Sequence, residues 1–82
     1  MRIDKFLKNS RIIKRRSVAK EACEQERITV NGKVAKPGTE VNLEDIIVVQ
    51  FGNREISVKV LDIKDSQRKE DADKMYEVID NK

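Results

Sequence analysis

The chain has no histidine and no tryptophan, and its 82 residues include only one cysteine, one proline, three glycines, two phenylalanines and one tyrosine. Without histidine, the commonest general base is absent and no histidine-containing zinc site can be assembled. Cys23 has no second cysteine to pair with in the chain. No window approaches the ~18 apolar residues of a membrane helix, and no apolar stretch of a secretion signal follows Met1-Arg2. These absences predict a cytoplasmic chain with no metal, no cofactor and no membrane association. A chain this short has little room for both a substrate cleft and a catalytic pair, so a non-catalytic role is expected. Single-strand binders stack bases on exposed rings. Here Phe6 and Phe51 are expected in the core, which leaves only Tyr76.

Charge is abundant, at 40% of residues, and it is sorted along the chain. Residues 1–36 hold eleven Lys/Arg against Asp4, Glu21, Glu24 and Glu26, a formal charge of +7. Residues 37–82 carry −4, so the net +3 conceals a strong polarity. Such segregation suits a protein that meets a polyanion with one end. Hydrophobic residues make up 38% of the chain and fall in regular Val/Ile runs, which predicts one small folded domain rather than a disordered chain.

Ile3, Phe6 and Leu7 sit at helical spacing and predict a first helix that starts near Asp4 and weakens at Asn9-Ser10. After the basic connector 11–16, Ser17 is the expected N-cap of a second helix, with Val18, Ala19, Ala22 and Cys23 as its apolar stripe. Ile28 and Val30 are expected to point inward, followed by Asn31-Gly32, a strong signal for a type I′ hairpin, and a return strand 33–36. The connection 39–45 is expected to bury Val41 and Leu43. The β-branched run 46–51 predicts a strand buried on both faces or twisted at a sheet edge, and 54–63 alternates, with Ile56, Val58 and Val60 on one face. A short helix is expected from about Arg68, and the apolar Met75, Tyr76, Val78 and Ile79 fit helix or strand equally. The resulting class is α+β: two N-terminal helices on a small, mostly antiparallel twisted sheet with a short C-terminal helical or strand appendage. The expected division is a domain over 1–64 and an extension over 65–82 packed on the sheet.

The candidate binding residues are Arg2, Lys5, Lys8, Arg11, Lys14, Arg15, Arg16, Lys20, Asn31, Lys33 and Lys36. Arginine offers a planar fork for bidentate phosphate contact, and N–H groups at the start of the second helix add positive potential beside Arg16. With few rings to spare, recognition is expected to rest on phosphates, 2′-hydroxyls and the shape of folded RNA. Asp4, Glu21 and Glu24 read as helix solubilisers, and Cys23 as a small buried core residue.

Three motifs then occur in a telling order: Arg2-Ile3-Asp4-Lys5-Phe6-Leu7, Lys14-Arg15-Arg16-Ser17-Val18-Ala19-Lys20, and Arg27-Ile28-Thr29-Val30-Asn31-Gly32-Lys33. Over residues 1 to about 52 the chain closely resembles the S4-type RNA-binding domain, named after a protein of the small ribosomal subunit. Its pattern is an R-L-D-K-x-L start, a basic-Ser/Thr-x-A start to the second helix and a V-N-G hairpin. The resemblance implies that the two helices and the hairpin form an RNA-binding face. Among stand-alone members, the length and the segment 69–76 are similar to the ribosome-associated quality-control factors of Gram-positive bacteria. The fifteen-kilodalton heat-shock proteins, which carry a very basic C-terminal extension, are the alternative. The first resemblance implies binding to large-subunit rRNA and P-site tRNA on large ribosomal subunits obstructed by peptidyl-tRNA. An alanine-tailing protein is the implied partner, and a monomer the implied free state. Arg2, Lys14, Arg15 and Arg16 would then contact rRNA and the tRNA backbone.

Overall fold

A computed structural model of the chain describes residues 1–63 and 68–81. The elements run α1 (Ile3–Asn9), α2 (Arg16–Glu24), β1 (Ile28–Val30), β2 (Lys33–Val34), β3 (Ile46–Phe51), β4 (Arg54–Val60), α3 (Lys69–Ala72) and β5 (Tyr76–Asn81). The five strands form one antiparallel sheet in the order β2-β1-β3-β4-β5. The class is thus α+β, and the C-terminal segment supplies both a short helix and an edge strand. The expected boundary between 64 and 65 falls on residues outside those described.

The sheet's register places its apolar residues in transverse rows. Val30, Ile47 and Val58 are cross-strand neighbours, as are Ile28, Val49 and Ile56. Because side chains alternate along a strand, these rows share one face. There they join Ile3, Phe6 and Leu7 of α1 and Ala19 and Cys23 of α2 in a single core, which also takes in Val41 and Met75. Asn31 (φ 52°) and Gly32 (φ 84°) both have positive φ, as the type I′ turn requires.

Several local expectations are corrected. Helix α2 begins at Arg16, not after Ser17; Arg15 is its N-cap, and no side chain caps it. Val18 drops out of the apolar stripe onto the surface. β3 is the central strand rather than an edge, and one of its faces is buried instead of both. Phe51 has the parity of Ile47 and Val49 but pairs with Arg54 in the last rung before the Gly52-Asn53 turn. It lies past the last buried row and is 45% exposed. Leu43 is 58% exposed because it sits on a tight turn. There Asn42 N donates to Asp45 Oδ2 (2.8 Å) and Glu44 takes a φ of 70°.

Candidate nucleic-acid interface

Both helices end in the same way, and neither end uses glycine. In α1, Arg11 takes a φ of 61° and its N–H donates to Lys8 O, while Ile13 N reaches Leu7 O. In α2, Glu26 takes a φ of 61°, its N–H donates to Cys23 O, and Arg27 N donates to Ala22 O. A residue in the left-handed region lets the chain turn back and satisfies the last carbonyls of the helix. These turns bring the second helix against the first, and α1 and α2 pack directly on each other.

That packing creates the centre of the candidate interface. Asp4, in the first turn of α1, is 3% exposed. Its Oδ1 accepts from Lys5 N (2.8 Å), and its Oδ2 receives Arg2 Nη2 at 3.3 Å and Arg16 Nε at 3.5 Å. The two arginine side chains remain about half exposed, at 53% and 48%. One buried carboxylate therefore holds two guanidinium groups while leaving much of each fork open to an anion. Asp4 is the residue of the candidate site that sequence reasoning missed. Its partner Arg16 lies twelve positions away on another helix, a proximity that helical periodicity does not report.

Arg2 is tethered from a third direction. Its backbone forms an isolated antiparallel bridge with Glu40, flanked by Ile3 N to Thr39 O and Val41 N to Met1 O, both 2.8 Å. Gly38 lies beside the guanidinium: a Cβ added there would come 3.9 Å from Arg2 Nε.

Around this centre, Lys14 and Arg15 are exposed and lead directly into Arg16. Lys20 is exposed one turn along α2 from Arg16. The first turn of α2 contains Arg16 and no acid, and its N-terminal N–H groups have no side-chain cap. A cation there opposes the helix dipole at a cost of about 0.3–1 kcal/mol, and a bound anion would offset that cost. Lys5 and Lys8 are partly buried on α1, and Arg11 is exposed just beyond it. Lys8 stands about 9 Å along the helix direction from Arg2, at 1.5 Å per residue. Lys36 is exposed next to the Pro37-Gly38 segment that borders Arg2. Lys33 is exposed at the hairpin. Asn31 is also exposed, but its amide is committed to the fold: Nδ2 donates to Asp45 Oδ1 (3.0 Å) and Oδ1 accepts from Ile46 N (2.9 Å). It pins the hairpin tip to the start of β3.

Cys23 is buried, and its thiol is pushed up to about 11 by burial, with the carboxylates of Asp4 and Glu24 adding to the shift. It is a core residue. Among the described residues, no cluster of Cys, Asp and Glu could hold a metal ion, and no helix is long and apolar enough to cross a membrane.

The S4 domain family model matches residues 1–47, which contain α1, α2, the hairpin and the Arg2–Asp4–Arg16 centre. The chain is 56% identical over 78 residues to the RQC P-site tRNA stabilizing factor of Halalkalibacterium halodurans, covering 95% of this chain and 89% of that one. It is also 56% identical over 79 residues to the factor of the same name from Streptococcus pneumoniae, with 96% and 90% covered. Among solved structures, the trimeric Heat Shock Protein 15 of Vibrio cholerae superposes with a TM-score of 0.88 at 30% identity, covering 95% of this chain and 80% of that one.

Proposed function

We propose that this protein, which belongs to the S4 domain family and within it to the RQC P-site tRNA stabilizing factors, is a non-catalytic RNA-binding factor of ribosome-associated quality control. It acts in the cytoplasm on large ribosomal subunits obstructed by peptidyl-tRNA. There it binds rRNA and the P-site tRNA, and it stabilises that tRNA while a partner protein adds a C-terminal alanine tail to the stalled chain. The observation that carries this reading is the pair of half-exposed arginine forks, Arg2 and Arg16, anchored on the buried Asp4 within a segment of charge +7.

The arrangement does its work by binding alone. Arg2 and Arg16 present planar N–H donors in fixed positions, so little rotamer freedom is lost when they engage phosphate oxygens. Lys14, Arg15 and Lys20 extend the positive field along α2, while Lys5, Lys8, Arg11, Lys33 and Lys36 broaden the footprint. Asn31 holds the hairpin in register beside it. Neutralising about five phosphates gives a log–log salt slope of roughly −3.5 to −4.5. A tRNA gripped this way leaves the P site more slowly, which is the contribution the proposed function requires.

The test is sedimentation from lysate. The protein should travel with free large subunits that carry peptidyl-tRNA, and Arg16→Ala should lose that association while staying folded, since Asp4 keeps Arg2 and the Lys5 N–H as partners. Co-sedimentation of folded Arg16→Ala at the wild-type level would remove Arg16 from the interface. The likeness to Heat Shock Protein 15 favours a second reading, a recycling or assembly factor that binds large-subunit RNA regardless of tRNA. Loss of association when peptidyl-tRNA is released separates the two.

A further inference from the structure

A groove of about 570 Å³ opens between the C-terminal end of α2 and the segment that runs out of β2. It is lined by Cys23, Val34, Ala35 and Pro37 together with the charged Glu24, Glu26 and Lys36. The volume lies within the range of pockets that take small organic groups. One of its lining residues adjoins the arginine centre: Pro37 O accepts from Asp4 N at 3.4 Å, and the next residue, Gly38, borders the Arg2 guanidinium.

Its electrostatics are the reverse of the surface beside it. The last turn of α2 contains no cation, its terminal carbonyls give the negative end of the helix dipole, and Glu24 and Glu26 add full charges. Glu26 is held in place by its left-handed backbone conformation and by the bonds that close the helix. A phosphate is repelled from such a lining. A flat, apolar group with N–H donors on its edge is attracted to it, and an RNA strand supplies one in an unpaired base.

We infer that this groove receives one unpaired guanine of the RNA strand whose phosphates Arg2 and Arg16 hold, an inference that rests on the RNA-binding reading above. Guanine is the one common base whose Watson–Crick edge offers two adjacent N–H donors, N1–H and the N2 amino group, to a single carboxylate. The ring lies against Val34 and Pro37, Glu26 or Glu24 accepts from its edge, and Lys36 meets the phosphate of the same nucleotide. The site reads a base through a carboxylate and two aliphatic walls, in a protein with few aromatic rings.

The experiment uses the full chain and an RNA stem-loop with a single bulged nucleotide, supplied as guanine, uracil or an abasic site, with affinity read by fluorescence anisotropy at fixed salt. The guanine bulge should bind about tenfold more tightly than the other two. The double variant Glu24→Gln/Glu26→Gln should bring that ratio to about one while holding or raising affinity for the abasic stem-loop, because repulsion has been removed. Equal binding of guanine and abasic stem-loops by the wild-type protein, with both lost in Arg16→Ala, would overturn the guanine site and leave the RNA-binding reading standing. Binding to no stem-loop and to no large subunit would overturn that reading itself. A protein that ignores the bulge but binds a lysine-rich peptide through Glu24 and Glu26 would assign the groove to a protein partner instead.

Discussion

The N-terminal and C-terminal halves of this small domain distribute charge and order in opposite ways. In residues 37–82 eleven carboxylates outnumber seven Lys/Arg, and the β3–β4 ladder runs unbroken from Ile46↔Lys59 to Phe51↔Arg54. In residues 1–36 the strands are two or three residues long, the helices are short, and cations crowd places where they cost stability. The two helices make the contrast sharper. α1 has Asp4 in its first turn and Lys8 in its last, in accord with the helix dipole. α2 has Arg16 and no acid in its first turn, and no base in its last. The orientation of charge on α2 is unfavourable for the isolated helix and suits an external anion at one end and an external donor at the other. Charge that opposes the helix dipole is thus confined to α2, the helix of the proposed interface, while both halves supply the core.

The largest expected effect comes from breaking what the halves share. Phe6 is fully buried where α1 meets the sheet residues. Phe6→Ala should cost about 3–5 kcal/mol, enough to unfold much of so small a domain, and urea denaturation should show the binding face and the sheet lost together. Retention of large-subunit binding by an unfolded Phe6→Ala chain would show that the halves are independent.

A smaller change should separate positioning from charge. If Asp4 merely diluted the positive field, Asp4→Asn would bind RNA more tightly. If it fixes the two guanidinium groups, binding should weaken by about 1–2 kcal/mol, roughly five- to thirtyfold, in an anisotropy titration. We expect weakening, since two forks without their common acceptor must be ordered at the moment of binding.

The smallest effect is read through pH. The Cys23 thiol is pushed up to about 11 by burial, so the folded state keeps its proton after the unfolded thiol has begun to ionise. The unfolded state then binds fewer protons, and stability must fall as pH rises from about 9 towards 11. Denaturation midpoints across that window should show the fall, and Cys23→Ala should abolish it. Alkylation of native Cys23 at pH 8 should likewise be slow against the unfolded chain.

Features set by local chemistry were readable in advance: the helix of Ile3, Phe6 and Leu7, the Asn31-Gly32 turn, the inward Ile28 and Val30, and the alternation of Val58 and Val60. The order of three motifs also pointed to the family. What escaped was settled by tertiary contact. Ser17 had the chemistry of an N-cap, yet α2 starts two residues earlier than that cap implies, where Arg16 meets Asp4. The weakening of the first helix at Asn9-Ser10 was visible, but the left-handed turns at Arg11 and Glu26, a conformation normally signalled by glycine, were not. Leu43 and Phe51 looked like core by composition but lie at a turn and at the last rung of a ladder, where nothing remains to cover them. Asp4 looked like an ordinary surface acid because the arginine that gives it a purpose lies on another helix.

The bridge between Arg2 and Glu40 has a bearing on how the protein is made. The arginine nearest the start of the chain is held in position by backbone that is synthesised only after nearly half the chain. A nascent copy leaving its own ribosome has its cations early but cannot set them into a finished grip until the segment around Glu40 has emerged and folded. On the RNA-binding reading proposed above, the order of synthesis would withhold a firm hold on ribosomal RNA until the chain is complete through that bridge.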